Sequence, residues 1–336
     1  MNPSSMMKEK ESKIPVRMMK ELREHGLAPI VLFVYNRPEH TAQTIAALKK
    51  NLLARESDLI IYADAAKTDT HEVFVEATRE VVRDVSEGFR SVTLIEREKN
   101  LGLARSVILG VGEVLSRNGK VIVLEDDLVT APGFLLYMNQ ALVYYENKPE
   151  VFSVSGYTPP SSTFSIPEEY KEEVYFSYRN SSWGWGTWQD RWDKVDWEVK
   201  DYDNFRRSPK LRKKFMRGGG DLPDMLRGYM MGEIDSWAIR FCYAHSKHNA
   251  VSVCPVESFV KNIGRDGSGT HFTDNSAKSD EDEITFEVKP TTFPSNIYVH
   301  KELTEQFRHQ FEYSLKHKVY TRLKEYLYPL HKSLNR

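Results

Sequence analysis

Three consecutive carboxylates, Glu125, Asp126 and Asp127, close the apolar run "VIVL" at residues 121–124. Adjacent carboxylates repel, and ionised groups at the margin of a core are costly unless a cation pairs with them. The next five residues hold no Lys or Arg. Such a cluster either stands in water or awaits a cation. On an extended chain Glu125 and Asp127 point to one side and Asp126 to the other. One carboxylate of this kind binds Mg²⁺ or Mn²⁺ together with substrate phosphates and water, while its neighbours hold ribose or sugar hydroxyls.

Two further residues stand where a strand ends. Arg37, after Asn36 in "YNRPEH", places a guanidinium beside a helix N-terminus, which suits phosphate or uracil oxygens; the alternative is an ordinary surface arginine. Asp64 ends "DLIIYAD", where it serves either a ligand or a helix cap. Arg105, in "NLGLARS", reaches toward a nucleotide from the following helix or lies on a solvated face.

The elements that position these groups follow from the apolar pattern. Short continuous apolar runs predict buried strands at 29–35, 58–64, 91–97 and 120–126. Helices are expected at 36–51, with Asn36 as cap and Pro38 in the first turn, at 71–87, and at 100–119 before Asn118-Gly119. Strands alternating with helices, without period-2 polarity, predict an α/β fold whose mostly parallel, Rossmann-like sheet carries helices on both faces. Open sheets of this kind bind ligands beyond the carboxyl ends of their strands. Asn36-Arg37, Asp64 and Glu125–Asp127 all fall there, which points to a nucleotide site.

Residues 1–27 read as a polar, loosely docked lead-in with a short helix near 16–25. The main domain spans 28–300, with a nucleotide-binding half at 28–150 and an acceptor and catalytic half at 151–300. The second half is aromatic and glycine-rich at 175–197, basic at 205–221, helical at 232–245, and strand followed by Gly-rich loop at 250–272. An acidic exposed turn is expected at 278–283, and a basic helical segment at 301–336.

Of 336 residues, 40% are hydrophobic and 28% charged, the balance of a soluble globular protein. The formal net charge of −1 gives no global basic field, so nucleic acid is not the expected partner. Two cysteines are too few for a disulfide framework and lack metal-ligand spacing. The polar N-terminus has no apolar core of a secretory signal, and "LAPIVLFVY" is too short to span a bilayer. The expected location is the cytoplasm, with peripheral contact at the inner membrane face through the basic, aromatic C-terminal segment as a further expectation.

Taken in order, "PIVLFVYNRPEHTAQTIAAL", "DLIIYAD", "VIVLEDDLVTAPGFLLYM", "VFSVSGY", "SSWGWGTW" and "GEIDSWAIR" resemble nucleotide-sugar glycosyltransferases of GT-A fold. The nearest likeness is to the N-acetylglucosaminyltransferase I type, in which Glu-Asp-Asp replaces Asp-x-Asp, and to bacterial sugar transferases. It runs over residues 28–275. The resemblance implies an inverting, metal-dependent transfer of a sugar, first guess N-acetylglucosamine, from a nucleotide donor, first guess UDP. The acceptor would be a glycan or lipid-linked glycan, in bacterial surface polysaccharide or glycoconjugate synthesis. It implies that Asp127 is the direct protein ligand of Mn²⁺ or Mg²⁺, that Glu125 and Asp126 contact sugar and ribose, that Arg37 contacts the nucleotide, and that Asp64 accepts from the uracil ring. Asn36 replaces a more usual aspartate.

The remaining motifs take their meaning beside that likeness. In "SSWGWGTW", Trp183, Trp185 and Trp188 offer flat faces for a pyranose and the glycines allow close approach; Trp185 and Gly186 are expected near the donor sugar, against the alternative that the tryptophans are core. "GEIDSW" offers a base for the acceptor hydroxyl: Asp235 by its match upstream of Trp237, Glu233 if the turn is not helical, or neither if these are only acids at a helix N-terminus. "NIGRDGSGTHF", with Arg265 and His271, has the composition of a lid over a diphosphate, or of a surface hairpin. Two rivals remain. A sugar-nucleotide nucleotidylyltransferase would carry a Gly-rich loop after the first strand, which "YNRPEH" lacks. A non-catalytic carbohydrate-binding protein would release no UDP.

Overall fold

The computed structural model describes residues 14–265 and 283–311. An eight-stranded sheet runs through it in the order β3 (Ser91–Glu96), β2 (Asp58–Ala63), β1 (Ile30–Val34), β4 (Lys120–Glu125), β8 (Trp185–Trp188), β6 (Val151–Ser155), β9 (Val251–Pro255), β7 (Val174–Ser177). Four strands make its parallel half: β1 (Ile30–Val34), β2 (Asp58–Ala63), β3 (Ser91–Glu96) and β4 (Lys120–Glu125). The central runs, β1 and Val121–Leu124 of β4, are apolar throughout because both faces are covered, whereas β3 at the sheet edge carries Ser91, Thr93 and Glu96 and is only partly buried. In β1, Val31 and Phe33 enter one core cluster and Ile30, Leu32 and Val34 the other; Val121 and Val123 of β4 divide from Ile122 and Leu124 in the same way.

Helices α1 (Val16–Glu24), α2 (Pro38–Leu48), α3 (Asp69–Arg83) and α4 (Leu103–Asn118) accompany these strands. Pro38 stands at the start of α2 as expected, but the N-cap position is Arg37 rather than Asn36. Residues 14–24 are docked: Ile14, Met19 and Leu22 are buried in the core, which corrects the loosely held lead-in. Helix α4 starts at Leu103 because Gly102 caps it at φ +73°.

The second half is mixed. A short β5 (Leu128–Thr130) and α5 (Phe134–Tyr144) lead to β6 (Val151–Ser155), β7 (Val174–Ser177) and β8 (Trp185–Trp188). Strand β8 runs antiparallel to both β4 and β6. Short helices α6 (Gln189–Trp192), α7 (Tyr202–Arg207), α8 (Pro209–Phe215) and α9 (Leu222–Met230) precede α10 (Trp237–His248). Then come β9 (Val251–Pro255), parallel to β6 and antiparallel to β7, and β10 (Val260–Asn262), which pairs antiparallel with β5 as a separate ribbon.

The expected helix over 232–245 begins only at Trp237. Gly232 lies at φ +72° and the Ser236 hydroxyl caps the helix by accepting from the Ile239 N–H, so Glu233 and Asp235 sit on a turn. The last described helix is α11 (Lys301–Gln310), docked through Leu303 and Phe307 against Phe164 and Tyr175. The acidic turn at 278–283, apart from Glu283, and the tail at 312–336 lie outside the described residues. No helix of the described residues is long and apolar enough to cross a membrane. Cys242 and Cys254 are free and buried.

Candidate active site

The carboxyl ends of β1, β2 and β4 share one edge of the sheet, because their pairings are parallel. The antiparallel β8 brings Trp185 opposite Val123, so the residues before it, Trp183 and Gly184, continue toward Glu125–Asp127. Strand β6 delivers Gly156 and Tyr157 to the same edge.

The acid cluster is held by its neighbours. Asp126 is 8% exposed, and its Oδ2 accepts from the Tyr35 backbone N–H at 3.1 Å. The Thr44 hydroxyl of α2 donates to the Asp126 carbonyl at 2.8 Å. Arg37 places Nη1 3.0 Å from Asp127 Oδ2 and 3.9 Å from Asp126 Oδ1. Among the described residues one guanidinium faces three carboxylates, which leaves them short of positive charge. Burial first, then repulsion from Asp127 and Asp126, pushes Glu125 well above the ordinary carboxylate range, with Arg37 opposing. Burial and Asp127 push Asp126 up in the same way, against Arg37 and the Tyr35 N–H.

The β5–β10 ribbon draws the start of "NIGRDGSGTHF" over this cluster. The Ile263 N–H donates to the Asp127 carbonyl at 2.9 Å, and the Gly264 N–H to Asn262 Oδ1 at 2.8 Å. At Gly264 a Cβ would overlap the Asp127 carboxylate and stand 3.0 Å from Arg37 Nη1, so only glycine fits. Arg265 then lies over the Trp183 ring at 4.7 Å, and Trp183 meets Tyr157 edge-on at 4.3 Å. His271 lies outside the described residues.

The tryptophan expectation is corrected. Trp185 is fully buried, stacked on Trp237 at 4.5 Å and on Trp192 at 5.6 Å, and does not reach a ligand surface. Gly186 faces the Val121 carbonyl, Met138 and Leu142, which makes it a packing position under α5. The half-buried tryptophan at the site edge is Trp183.

Asp64 is 8% exposed and receives the backbone N–H groups of Leu101 and Gly102. Arg105 is exposed in the first turn of α4, and Asn36 is half-buried beside Arg37. The 232–236 turn stands against the 100–102 turn: a Cβ on Gly102 would lie 3.6 Å from Asp235 Oδ2. Glu233 is held by the buried Arg227 at 3.3 Å. The Asp235 side chain is 65% exposed, with Arg240 Nη2 at 3.7 Å from Oδ1. Sequence reasoning missed Tyr157, Thr44, Tyr35 and the close approach of Gly264. Only Tyr157 and Gly264 carried a signal, the end of a quoted motif and a glycine after a strand.

A divalent ion fits the donor chemistry here, since the cluster offers hard carboxylate oxygens and lacks compensating charge. Among the described residues no group of three or more His, Cys, Asp or Glu surrounds one metal position. Most ligands of such an ion would therefore be diphosphate oxygens and water.

Residues 30–195 match the family model described as "Glycosyl transferase family 2". This segment, just under half of the chain, spans the parallel half-sheet, the acid cluster and β8, and the chain has a GT-A-like α/β fold. No curated protein matches the chain in sequence. Among solved structures, S. aureus TarS is 13% identical over 47% of this chain and 28% of its own, with a TM-score of 0.31. Mouse xyloside xylosyltransferase 1 in its apo form is 8% identical over 66% and 82%, with a TM-score of 0.32. UDP-glucose pyrophosphorylase complexed with UDP-glucose is 12% identical over 50% and 79%, with a TM-score of 0.29. The chain spans about a quarter of the first of these, and at such scores none bears on its activity.

Proposed function

We propose that this protein is an inverting, divalent-metal-dependent glycosyltransferase, which moves a sugar from a nucleotide donor to a glycan hydroxyl. The observation that carries the reading is the under-neutralised Glu125–Asp127 cluster at the carboxyl end of β4, faced by Arg37 and the bare Gly264 backbone. UDP as nucleotide, N-acetylglucosamine as sugar, and a glycan or lipid-linked glycan of a bacterial surface as acceptor rest on the likeness to the N-acetylglucosaminyltransferase I type.

Asp127 would hold Mn²⁺ or Mg²⁺, which when bound neutralises negative charge on the diphosphate. Arg37 adds a fixed positive charge beside the same carboxylate. Asp235 takes the proton of the acceptor hydroxyl as that oxygen forms its bond to C1. The C1–oxygen bond to the diphosphate breaks on the opposite face, and the nucleoside diphosphate leaves with the electron pair. Its exposure suits Asp235 to meet an acceptor, whereas Glu233 is tied to Arg227.

A panel of nucleotide sugars, incubated with Mn²⁺ and with chelator, tests the reading. Metal-dependent release of a nucleoside diphosphate from one of them is expected. No release from any donor, under either condition, would overturn it.

A further inference from the structure

A second charged surface stands at the other end of the sheet. Ser208 opens α8 by accepting from the Leu211 N–H at 3.3 Å, and Pro209 fills its first position. Phe215 is buried and Leu211 half-buried in the core beneath α8. Lys210 and Lys213, three residues apart, share the outer face and are exposed. The Lys214 ammonium donates to the Lys247 carbonyl at 3.3 Å, which fastens α8 to the last turn of α10. Arg217 follows, its Nε donating to the Lys214 carbonyl at 3.1 Å and its guanidinium lying 4.0 Å over the Tyr178 ring.

These cations stand close enough to repel one another. Burial first, then Arg217 and Lys210, pushes Lys214 below the usual lysine range. Burial first, then Lys194, with Lys247 and Lys214 adding, pushes His248 down, against a hydrogen bond with the Lys194 backbone. Nearby carboxylates are already engaged, Asp201 by Lys247 at 3.0 Å and Asp203 by Arg206 at 2.8 Å. Among the described residues Lys210, Lys213, Lys214 and Arg217 form no ion pair. A chain of net charge −1 thus gathers positive charge on one face.

Its place separates this face from the transfer chemistry. α10 ends at His248 just before β9 begins, and β9 runs parallel to β6 and, through the antiparallel β8, in the same sense as β4. The cations therefore lie at the amino-terminal ends of these strands. Glu125–Asp127 lie at the carboxyl end, about 20 Å away along the six residues of β4.

The chemistry of the face favours a layer of phosphates. Lysine supplies most of its charge, and lysine meets phosphate as a mobile point charge where arginine binds as a rigid fork. Among the described residues no large apolar or aromatic side chain within 194–248 is exposed, so no ring is offered on which a nucleobase would stack. The chain also leaves from beside this face. Phe311, the last described residue, lies against the Arg179 guanidinium at 4.0 Å, next to the 216–218 turn on which α11 packs. Beyond it the sequence holds six Lys or Arg against two Glu, with four Tyr, the composition of an interfacial segment.

We propose that the face formed by Lys194, Lys210, Lys213, Lys214, Arg217 and Lys247 docks on an anionic phospholipid bilayer, with the active-site end of the sheet turned away from it. The docking needs no turnover and stands apart from the transfer reaction.

The test is sedimentation of the full chain with vesicles of phosphatidylcholine and of a phosphatidylglycerol–phosphatidylcholine mixture, at low and high salt. Wild type should bind only the anionic vesicles and be released by high salt. Lys210→Gln with Lys213→Gln should weaken binding about 10–30-fold, the effect of removing two basic groups near a charged surface. Lys210→Glu with Lys213→Glu should weaken it further. Lys50→Gln with Lys171→Gln removes the same charge from exposed sites elsewhere and should leave binding unchanged. Failure of wild type to bind anionic vesicles would overturn the proposal. So would undiminished binding by both Lys210/Lys213 variants, which would leave the segment after Phe311 as the contact. An equal loss in the Lys50/Lys171 variant, or tighter binding of poly(U) RNA than of the vesicles, would overturn it as well.

Discussion

Arg37 and Asp127 meet through a single contact, Nη1 to Oδ2 at 3.0 Å, with their side chains 14% and 16% exposed. The pair joins the ends of β1 and β4 at the centre of the sheet. Among the described residues this one guanidinium faces the three carboxylates Glu125, Asp126 and Asp127. That arrangement favours a second cation, and Arg37 supplies only the first.

Asp127→Asn should therefore abolish the Mn²⁺-dependent stabilisation by UDP and the turnover that depends on it. The apo protein should keep its fold, with a stability change within about 1 kcal/mol, because relief of carboxylate repulsion offsets loss of the Arg37 contact. Thermal shift with UDP, with and without Mn²⁺, reads both. A variant with an undiminished metal-dependent shift would remove Asp127 from the metal site.

Asp235→Asn should lower transfer by about 10²–10⁴-fold, the usual worth of a general base, with donor binding nearly intact. Glu233→Gln should cost less, since Glu233 is held by Arg227. Steady-state kinetics with both variants decide between them. If Glu233→Gln shows the larger loss, the turn is right and the carboxylate is wrong.

The parallel half was legible because its signals are local. β1, β2 and β4 hold continuous apolar runs, each helix has its own period, and the groups at the strand ends follow without knowing any partner. The half after residue 150 was harder because its strands are short and pair with segments distant in sequence. Trp183 and Trp185 share the parity of a strand, so which of them reaches the site is settled by the register that sets Trp185 opposite Val123 and by Gly184 at φ +62° between them. The approach of Gly264 to Asp127 likewise needs the β5–β10 ribbon, and β5 is three residues long. The composition of "NIGR" names a loop but not what lies beneath it.

That register gives a stability prediction. Trp185→Ala empties a site enclosed by Trp237, Trp192 and Phe241, and should cost about 3–5 kcal/mol. Trp183→Ala removes a half-buried ring and should cost about 1 kcal/mol, while raising KM for a substrate that uses the edge formed with Tyr157 and Arg265. Urea denaturation separates the two. Equal losses would mean that Trp183 is as much a core residue as Trp185.

A buried histidine sets the last prediction. His245 is fully buried, and its Nδ1–H donates to the Phe241 carbonyl at 2.8 Å, since a carbonyl can only accept. Nε2 is therefore the acceptor, facing the hydroxyls of Ser153 at 3.1 Å and Ser252 at 3.3 Å. Burial, with a smaller contribution from His248, pushes its pKa down from 6.5 to about 4, against the Phe241 hydrogen bond. Below pH 6.5 the unfolded chain takes up the proton before the folded one does. The contribution of neutral His245 is thus complete above pH 6.5 and is lost as pH falls toward 4, by about 3 kcal/mol in all. His245→Gln cannot titrate, so the stability difference between wild type and this variant should shrink across that window and stay flat above it. Denaturant midpoints at intervals from pH 7.5 to 4 measure it, every other group cancelling in the difference. A difference that is constant with pH would mean that His245 takes up its proton equally well in the folded core.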